Sequence, residues 1–164
     1  MVGFPHGYNT TATKVFEAER AIADGAHELD MVLHIGRLIG GDLEYVRGDV
    51  RAVVEVAHRS GVFVKVILEN CYLNDDQKRA GCRACEEAGA DWVKTSTGFA
   101  KGGATLEDLA LMRKAVSSKV QVKAAGGVRD LDMALKVREI GCSRFGATAT
   151  EAIMEEARRR TGLK

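Results

Sequence analysis

Apolar and polar residues alternate along five short runs: HELDMVLHIG from His27, VFVKVILEN from Val62, ADWVKTS from Ala90, KVQVKAAGG from Lys119 and CSRFGAT from Cys142. Side chains two apart on a strand share a face, so parity sorts each run. Leu29, Met31 and Leu33 fall on one face with Val64, Val66 and Leu68, and the later runs add Val93, Val122 and Ala124. This face is wholly apolar and is expected to meet helices. The opposite face takes Glu28, Asp30 and Val32, then Phe63, Lys65, Ile67 and Glu69, then Trp92, Lys94 and Ser96, and finally Gln121, Lys123 and Ala125. An amphipathic stretch of helical length separates each run from the next, the alternation of successive βα units on a parallel sheet.

Helix starts and stops fall where that reading needs them. Asn74 stands three residues before Gln77 and Thr105 three before Asp108, each pairing an N-cap oxygen with an acceptor, and Asp130 can cap the stretch LDMALKVREIG. Gly25, Gly61, Gly89 and Gly141 each close a helix just before the next strand. Gly3-Phe4-Pro5 reads as the tail of one more strand, with ATKVFEAERAIADG as its helix, which makes six strand positions, the first a stub. One proline, 18 glycines and no low-complexity segment favour a single domain over residues 1–164. No GxGxxG follows a strand, so the dinucleotide fingerprint is missing. The expected fold is α/β, a TIM-barrel-like parallel (β/α) barrel with about six βα units, since an eight-unit barrel takes about 250 residues.

Charge and cysteine usage narrow the partners. With 24 Lys+Arg against 23 Asp+Glu, the net charge of +1 offers no field for nucleic acid or an anionic membrane, and a small molecule is the expected partner. The start MVGFPHGYNT lacks the basic-then-apolar layout of a leader, and no run approaches the roughly 18 apolar residues of a membrane span. A cytoplasmic protein is expected, with Cys71, Cys82, Cys85 and Cys142 as free thiols. Cys82 and Cys85 form a CxxC inside DDQKRAGCRACEEAGA, which reads as a helix with no second ligand pair. Packing is the expected role of that pair, and no metal or cofactor is expected.

The polar face carries the candidate chemistry. It gathers Lys65, Lys94 and Lys123 with Glu28, Asp30 and Glu69, a set too costly to bury without a purpose. A structural ion-pair network, or a register one residue off, would also account for it. Lys94 and Lys123 are expected on neighbouring strands. Two ammonium groups about 6 Å apart at an effective dielectric near 20 repel by roughly 2.8 kcal/mol, and partial desolvation acts in the same direction. One amine of such a pair can lose its proton, attack a carbonyl and form a Schiff base. The resulting iminium accepts the electrons of a breaking carbon-carbon bond, and Asp30 can shuttle the proton. Gly98, Gly126, Gly127 and Gly146 follow successive strands, where bare N–H groups and helix N-termini can receive a phosphate, with Thr148 adding a hydroxyl.

In this order, GFPHG, ELDMVLHIG, VKVILE, ADWVKTSTGF, GGAT, VKAAGGVR and RFGAT closely resemble the deoxyribose-phosphate aldolases, class I aldolases of the (β/α)8 type, from about Val2 to about Ala157. The resemblance implies reversible cleavage of 2-deoxy-D-ribose 5-phosphate to glyceraldehyde 3-phosphate and acetaldehyde without a metal, in deoxyribonucleotide catabolism. It implies Lys94 as the Schiff-base lysine, Lys123 as the group that assists it in proton transfer, and Asp30 as the acid/base partner through water. Lys65 would be a polar pocket residue, Thr97 a substrate contact, and Gly98, Gly126, Gly127 and Gly146 the phosphate cradle. Three departures stand out: two further βα units that precede these motifs in the family are not in this chain, Thr148-Ala149 replaces a pair of hydroxyl residues, and the tail RRRTGLK lacks the tyrosine some members carry. An open six-strand sheet would expose two edges, so closure, or coverage within a homo-oligomer, is expected. The alternatives are a phosphate-binding barrel enzyme without a covalent lysine, and an inactive truncated relic that binds sugar phosphates.

Overall fold

The computed structural model describes residues 1–162; the last two residues of the expected domain and of its tail, Leu163 and Lys164, lie outside the described residues. Five strands, β1 (Glu28–Val32), β2 (Phe63–Ile67), β3 (Trp92–Lys94), β4 (Gln121–Ala125) and β5 (Arg144–Gly146), form one all-parallel sheet in sequential order. Helix α1 (Thr11–Ala23) precedes β1, and α2 (Ile35–Ile39) with α3 (Leu43–Arg59) links β1 to β2. Then α4 (Asp75–Glu87), α5 (Leu106–Ala115) and α6 (Leu131–Glu139) alternate with the remaining strands, and α7 (Thr150–Thr161) follows β5. The expected stub is a single-residue bridge: Val2 N–H donates to Asp30 O and Val2 O accepts from Val32 N–H, both at 2.9 Å, on the free edge of β1.

Local chemistry sets the helix limits. Asn74 and Gln77 form a reciprocal capping box on α4, Thr105 Oγ1 accepts from Asp108 N–H at 3.1 Å, and Asp130 Oδ1 accepts from Met133 N–H at 2.8 Å. Each cap satisfies a donor that the first helical turn would leave unpaired. On α3, Val46, Val50, Val53, Val54 and Ala57 are buried along one stripe, at about 1.5–3 kcal/mol for each fully buried valine. Cys82 and Cys85 face inward on α4, where burial pushes the Cys82 thiol up to about 12. A Cβ on Gly81 of the same helix would stand 3.0 Å from Leu38 and 3.3 Å from Leu68 side-chain carbons, so small residues let α4 lie close to the sheet.

Parity holds on the helix-facing side: Leu29, Met31, Val64, Val66, Val93, Val122 and Ala124 are all at most 1 % exposed. The core is therefore the layer between this convex face and the helices. The concave face is different, because Phe63 is half exposed and Glu28, Asp30 and Lys123 are only partly covered.

Of the two expected ways to protect the sheet edges, closure or coverage within a homo-oligomer, closure by a continuous ladder is not formed among the described residues. β1 and β5 share no ladder. Four strand spacings of about 4.8 Å would separate them by about 19 Å on a flat sheet, yet Arg144 Nη1 on β5 lies 2.7 and 2.6 Å from the two carboxylate oxygens of Glu28 on β1. The sheet is thus an arc with barrel curvature, bridged at one end by an ion pair instead of backbone hydrogen bonds. Three-residue β5, exposed at every position, gives a ladder too short to continue the sheet.

Candidate active site

Lys94 is the last residue of β3, and the backbone around it stays tied to both neighbouring strands. Its carbonyl accepts from Leu68 N–H at 3.0 Å, and Thr95 N–H donates to Lys123 O at 3.2 Å. Thr95 Oγ1 accepts from Ala125 N–H and donates to Ala125 O, which locks the ends of β3 and β4 together. Lys94 and Lys123 are direct register partners, as are Asp30 and Lys65. Alternation then sends all four side chains to the concave face.

There they converge on one carboxylate. Asp30 Oδ2 lies 2.5 Å from Lys94 Nζ and 3.7 Å from Lys123 Nζ, while Oδ1 lies 3.2 Å from Lys65 Nζ. Lys65 also reaches Glu28 at 2.6 Å, and Glu28 holds Arg144, whose guanidinium stacks 4.5 Å over the Trp92 ring. Burial pushes the Asp30 carboxyl up, but the hydrogen bond and charge of Lys94, with the charges of Lys123 and Lys65, outweigh it and hold Asp30 below the usual aspartate range. Desolvation lowers the Lys123 ammonium; the Asp30 charge opposes this, and the charges of Lys94, Lys65 and Arg144 reinforce it. The set carries more ammonium groups than carboxylates can neutralise.

Lys94 and Lys123 also line a cavity of about 430 Å³, together with Thr97, Gly98, Gly126, Gly127, Gly146 and Thr148. Every candidate expected at the phosphate loops is brought to this one space. Asp30 and Lys65 are not: Asp30 reaches the cavity wall only through Lys94 and Lys123, and Lys65 lies 3 % exposed beneath it. Val128 and Arg129 line the cavity as well and were not singled out from the sequence, although they directly follow the glycine pair. Gly126 and Gly127 have φ of 75° and 83°, and a Cβ on Gly127 would stand 2.7 Å from Ala104 O, so the GGAT segment packs against the pair and requires glycine there. Helix α7 starts beside the lining residues Ala147 and Thr148, and no side chain caps its N-terminus.

Glu69 departs from simple strand parity. It is the one non-glycine residue with positive φ among the described residues, at φ 57° and ψ 63°, and its buried carboxylate accepts from the N–H and the hydroxyl of Thr97. Such a backbone costs roughly 1–2 kcal/mol for an L-residue. The loop that carries Thr97 and Gly98 into the cavity is held from behind by this side chain.

Residues 1–153 match the DeoC/LacD family aldolase profile. The chain belongs to this aldolase family. It is 51% identical over 162 residues to a protein of Rhodopirellula baltica named deoxyribose-phosphate aldolase, covering 99% of this chain and 67% of that protein. A solved structure described as QR15, an aldolase, superposes with a TM-score of 0.90 at 38% identity over 99% of this chain and 72% of that one. A deoxyribose phosphate aldolase from Aeropyrum pernix, described as a unique tetrameric structure, gives a TM-score of 0.85 at 30% identity over 96% of this chain and 66% of that one. The aldolase arc thus corresponds to about two thirds of each of these relatives, and its fold is that of TIM-barrel-like aldolases. Among the described residues no helix is long and apolar enough to cross a membrane.

Proposed function

We propose that this aldolase cleaves and forms 2-deoxy-D-ribose 5-phosphate through a Schiff base on Lys94. One observation carries the reading: Lys94 and Lys123 share the Asp30 carboxylate at the wall of a cavity whose lining also brings in glycine loops, threonine hydroxyls and an arginine. A nucleophilic amine must give up a proton, and beside Lys94 desolvation, with the charges of Lys94, Lys65 and Arg144, lowers the Lys123 ammonium that can take part in that exchange. Lys94 attacks the C1 aldehyde, and loss of water leaves an iminium. Removal of the proton from the C3 hydroxyl then sends the C2–C3 electrons into the iminium, releasing glyceraldehyde 3-phosphate and leaving an enamine. Protonation of C2 and hydrolysis release acetaldehyde and restore the amine.

Asp30 and Lys123 are the groups proposed to carry these protons, Asp30 as the acceptor beside Lys94 and Lys123 as the donor whose ammonium desolvation has weakened. The loops of Gly98, Gly126, Gly127 and Gly146 are proposed to hold the phosphate with Thr148, the uncapped start of α7 adding its dipole. Lys65 supports Asp30 from below and is proposed to set its orientation. A homo-oligomer is proposed on the tetrameric relative and on the exposed β5 edge with its Phe145. Four free thiols accord with a cytoplasmic protein. The test is release of glyceraldehyde 3-phosphate from 2-deoxyribose 5-phosphate in a coupled assay. Turnover is expected, and its complete absence from folded protein would overturn the reading.

A further inference from the structure

Glu69 is 1 % exposed, and among the described residues it has no cationic partner. A buried carboxylate without a counter-charge, on a residue held in the left-handed region, is costly twice over and calls for a compensating role. Among the described residues its oxygens hydrogen-bond to one residue, Thr97: the N–H of Thr97 lies 3.2 and 3.3 Å from them, and the Thr97 hydroxyl donates to Oε2. A threonine hydroxyl has one proton to give and two lone pairs. The proton is committed to Glu69, and one lone pair accepts from Phe99 N–H at 2.9 Å. Thr97 nevertheless lines the cavity. What it can offer there is its remaining lone pair.

We propose that Glu69 is a positioning residue that fixes Thr97 as an acceptor toward the cavity, so that the site reads a hydroxyl group of its ligand and offers the Thr97 oxygen no part in binding phosphate. The proposal deepens the aldolase reading by naming what discriminates a hydroxylated sugar phosphate from a bare phosphate, and it specifies the Thr97 contact as that of a hydroxyl reader. Glutamine at position 69 keeps an oxygen for the Thr97 N–H but presents an amide N–H to the Thr97 oxygen. The Thr97 hydroxyl then turns from acceptor to donor.

The test uses calorimetry with two ligands that lack a carbonyl, 2-deoxyribitol 5-phosphate and inorganic phosphate, so it does not depend on covalent chemistry. A ligand hydroxyl can donate or accept, so Glu69→Gln is expected to leave the Kd for the polyol phosphate within about threefold, whereas inorganic phosphate, which only accepts, meets a new donor and is expected to bind about tenfold tighter. In a Thr97→Val background the same change is expected to alter the phosphate Kd by less than about twofold, because the group it acts through is gone. If Glu69→Gln does not fold, Thr97→Val alone decides the matter: the polyol phosphate is expected to weaken about tenfold and phosphate not at all. A phosphate Kd that Glu69→Gln leaves unchanged or raises, a polyol Kd that Thr97→Val leaves unchanged, or a Glu69→Gln effect that persists without the Thr97 hydroxyl would each overturn the proposal. Protein that behaves as expected here yet never traps a carbonyl would overturn the Schiff-base reading and leave the role of Glu69 standing.

Discussion

A buried lysine-aspartate pair and a cluster of three lysines lie on this fold and resolve their charges in opposite ways. Lys14 on α1 meets Asp49 on α3 at 2.6 Å, with both side chains fully buried; the Lys14 ammonium also donates to Val32 O, and Thr11 Oγ1 donates to Asp49 Oδ1. One cation faces one anion, hydrogen bonds take up what remains, and neither side chain lines the cavity beside Lys94. In the cluster, three ammonium groups crowd one Asp30 carboxylate beside that open space. Desolvation lowers the Lys14 ammonium just as it lowers that of Lys123. A lowered amine is therefore not what marks a reactive site. The mark is unbalanced charge with room for a ligand, whereas a balanced buried pair is architecture.

The largest expected separation between the two is catalytic. Lys94→Arg keeps a cation against Asp30 but cannot form an imine, so the retro-aldol rate should fall by at least about 10⁴-fold with an unchanged urea midpoint. Comparable turnover in the variant would dissolve the distinction. Next in size is Lys14→Met, which strands the Asp49 carboxylate in the core and should remove roughly 3–5 kcal/mol of stability, read by urea denaturation, while the rate per folded molecule stays near that of the parent.

Asp30→Asn should have a smaller effect on stability, on the order of 2–3 kcal/mol, because water still reaches the concave face. Its signature is in acid. Asp30 is held below the usual aspartate range in the folded protein, so its contribution is present in full above the unfolded value and is lost as pH falls through the folded one, where the unfolded chain has already taken up the proton. Melts from pH 6 downward should show a shallower loss in the variant than in the parent; parallel curves would mean that Asp30 is not the group that titrates. The smallest effect belongs to Arg144→Gln. Its pair with Glu28 is partly exposed, so about 1 kcal/mol or less is expected, and a loss several times larger would show that the ion pair, and not the helix layer, holds the arc.

Much of this was legible in the sequence because it is local. Period-two alternation placed Lys94, Lys123 and Asp30 on one face, and caps such as Asn74 and Asp130 marked the helix starts. What escaped depends on contacts distant along the chain. Lys14 and Asp49 are 35 residues apart and Glu28 and Arg144 are 116 apart, so no periodicity couples them. Parity sends Glu69 inward, but its left-handed backbone re-aims the side chain at Thr97, a turn that strand alternation cannot foresee. Lys65 shares the face of Lys94 yet lies under Asp30, since position along the strand axis, and not the face alone, decides which residue reaches the cavity.

The most direct measurement is reductive trapping. The protein is incubated with acetaldehyde, reduced with borohydride and digested, and the peptides bearing Lys14, Lys65, Lys94 and Lys123 are compared by mass. The expected result is a single adduct on Lys94, with Lys14 unmodified despite its weakened ammonium. An adduct shared among the lysines, or none on Lys94 in folded protein, would contradict the claim that charge imbalance beside the cavity makes Lys94 the nucleophile.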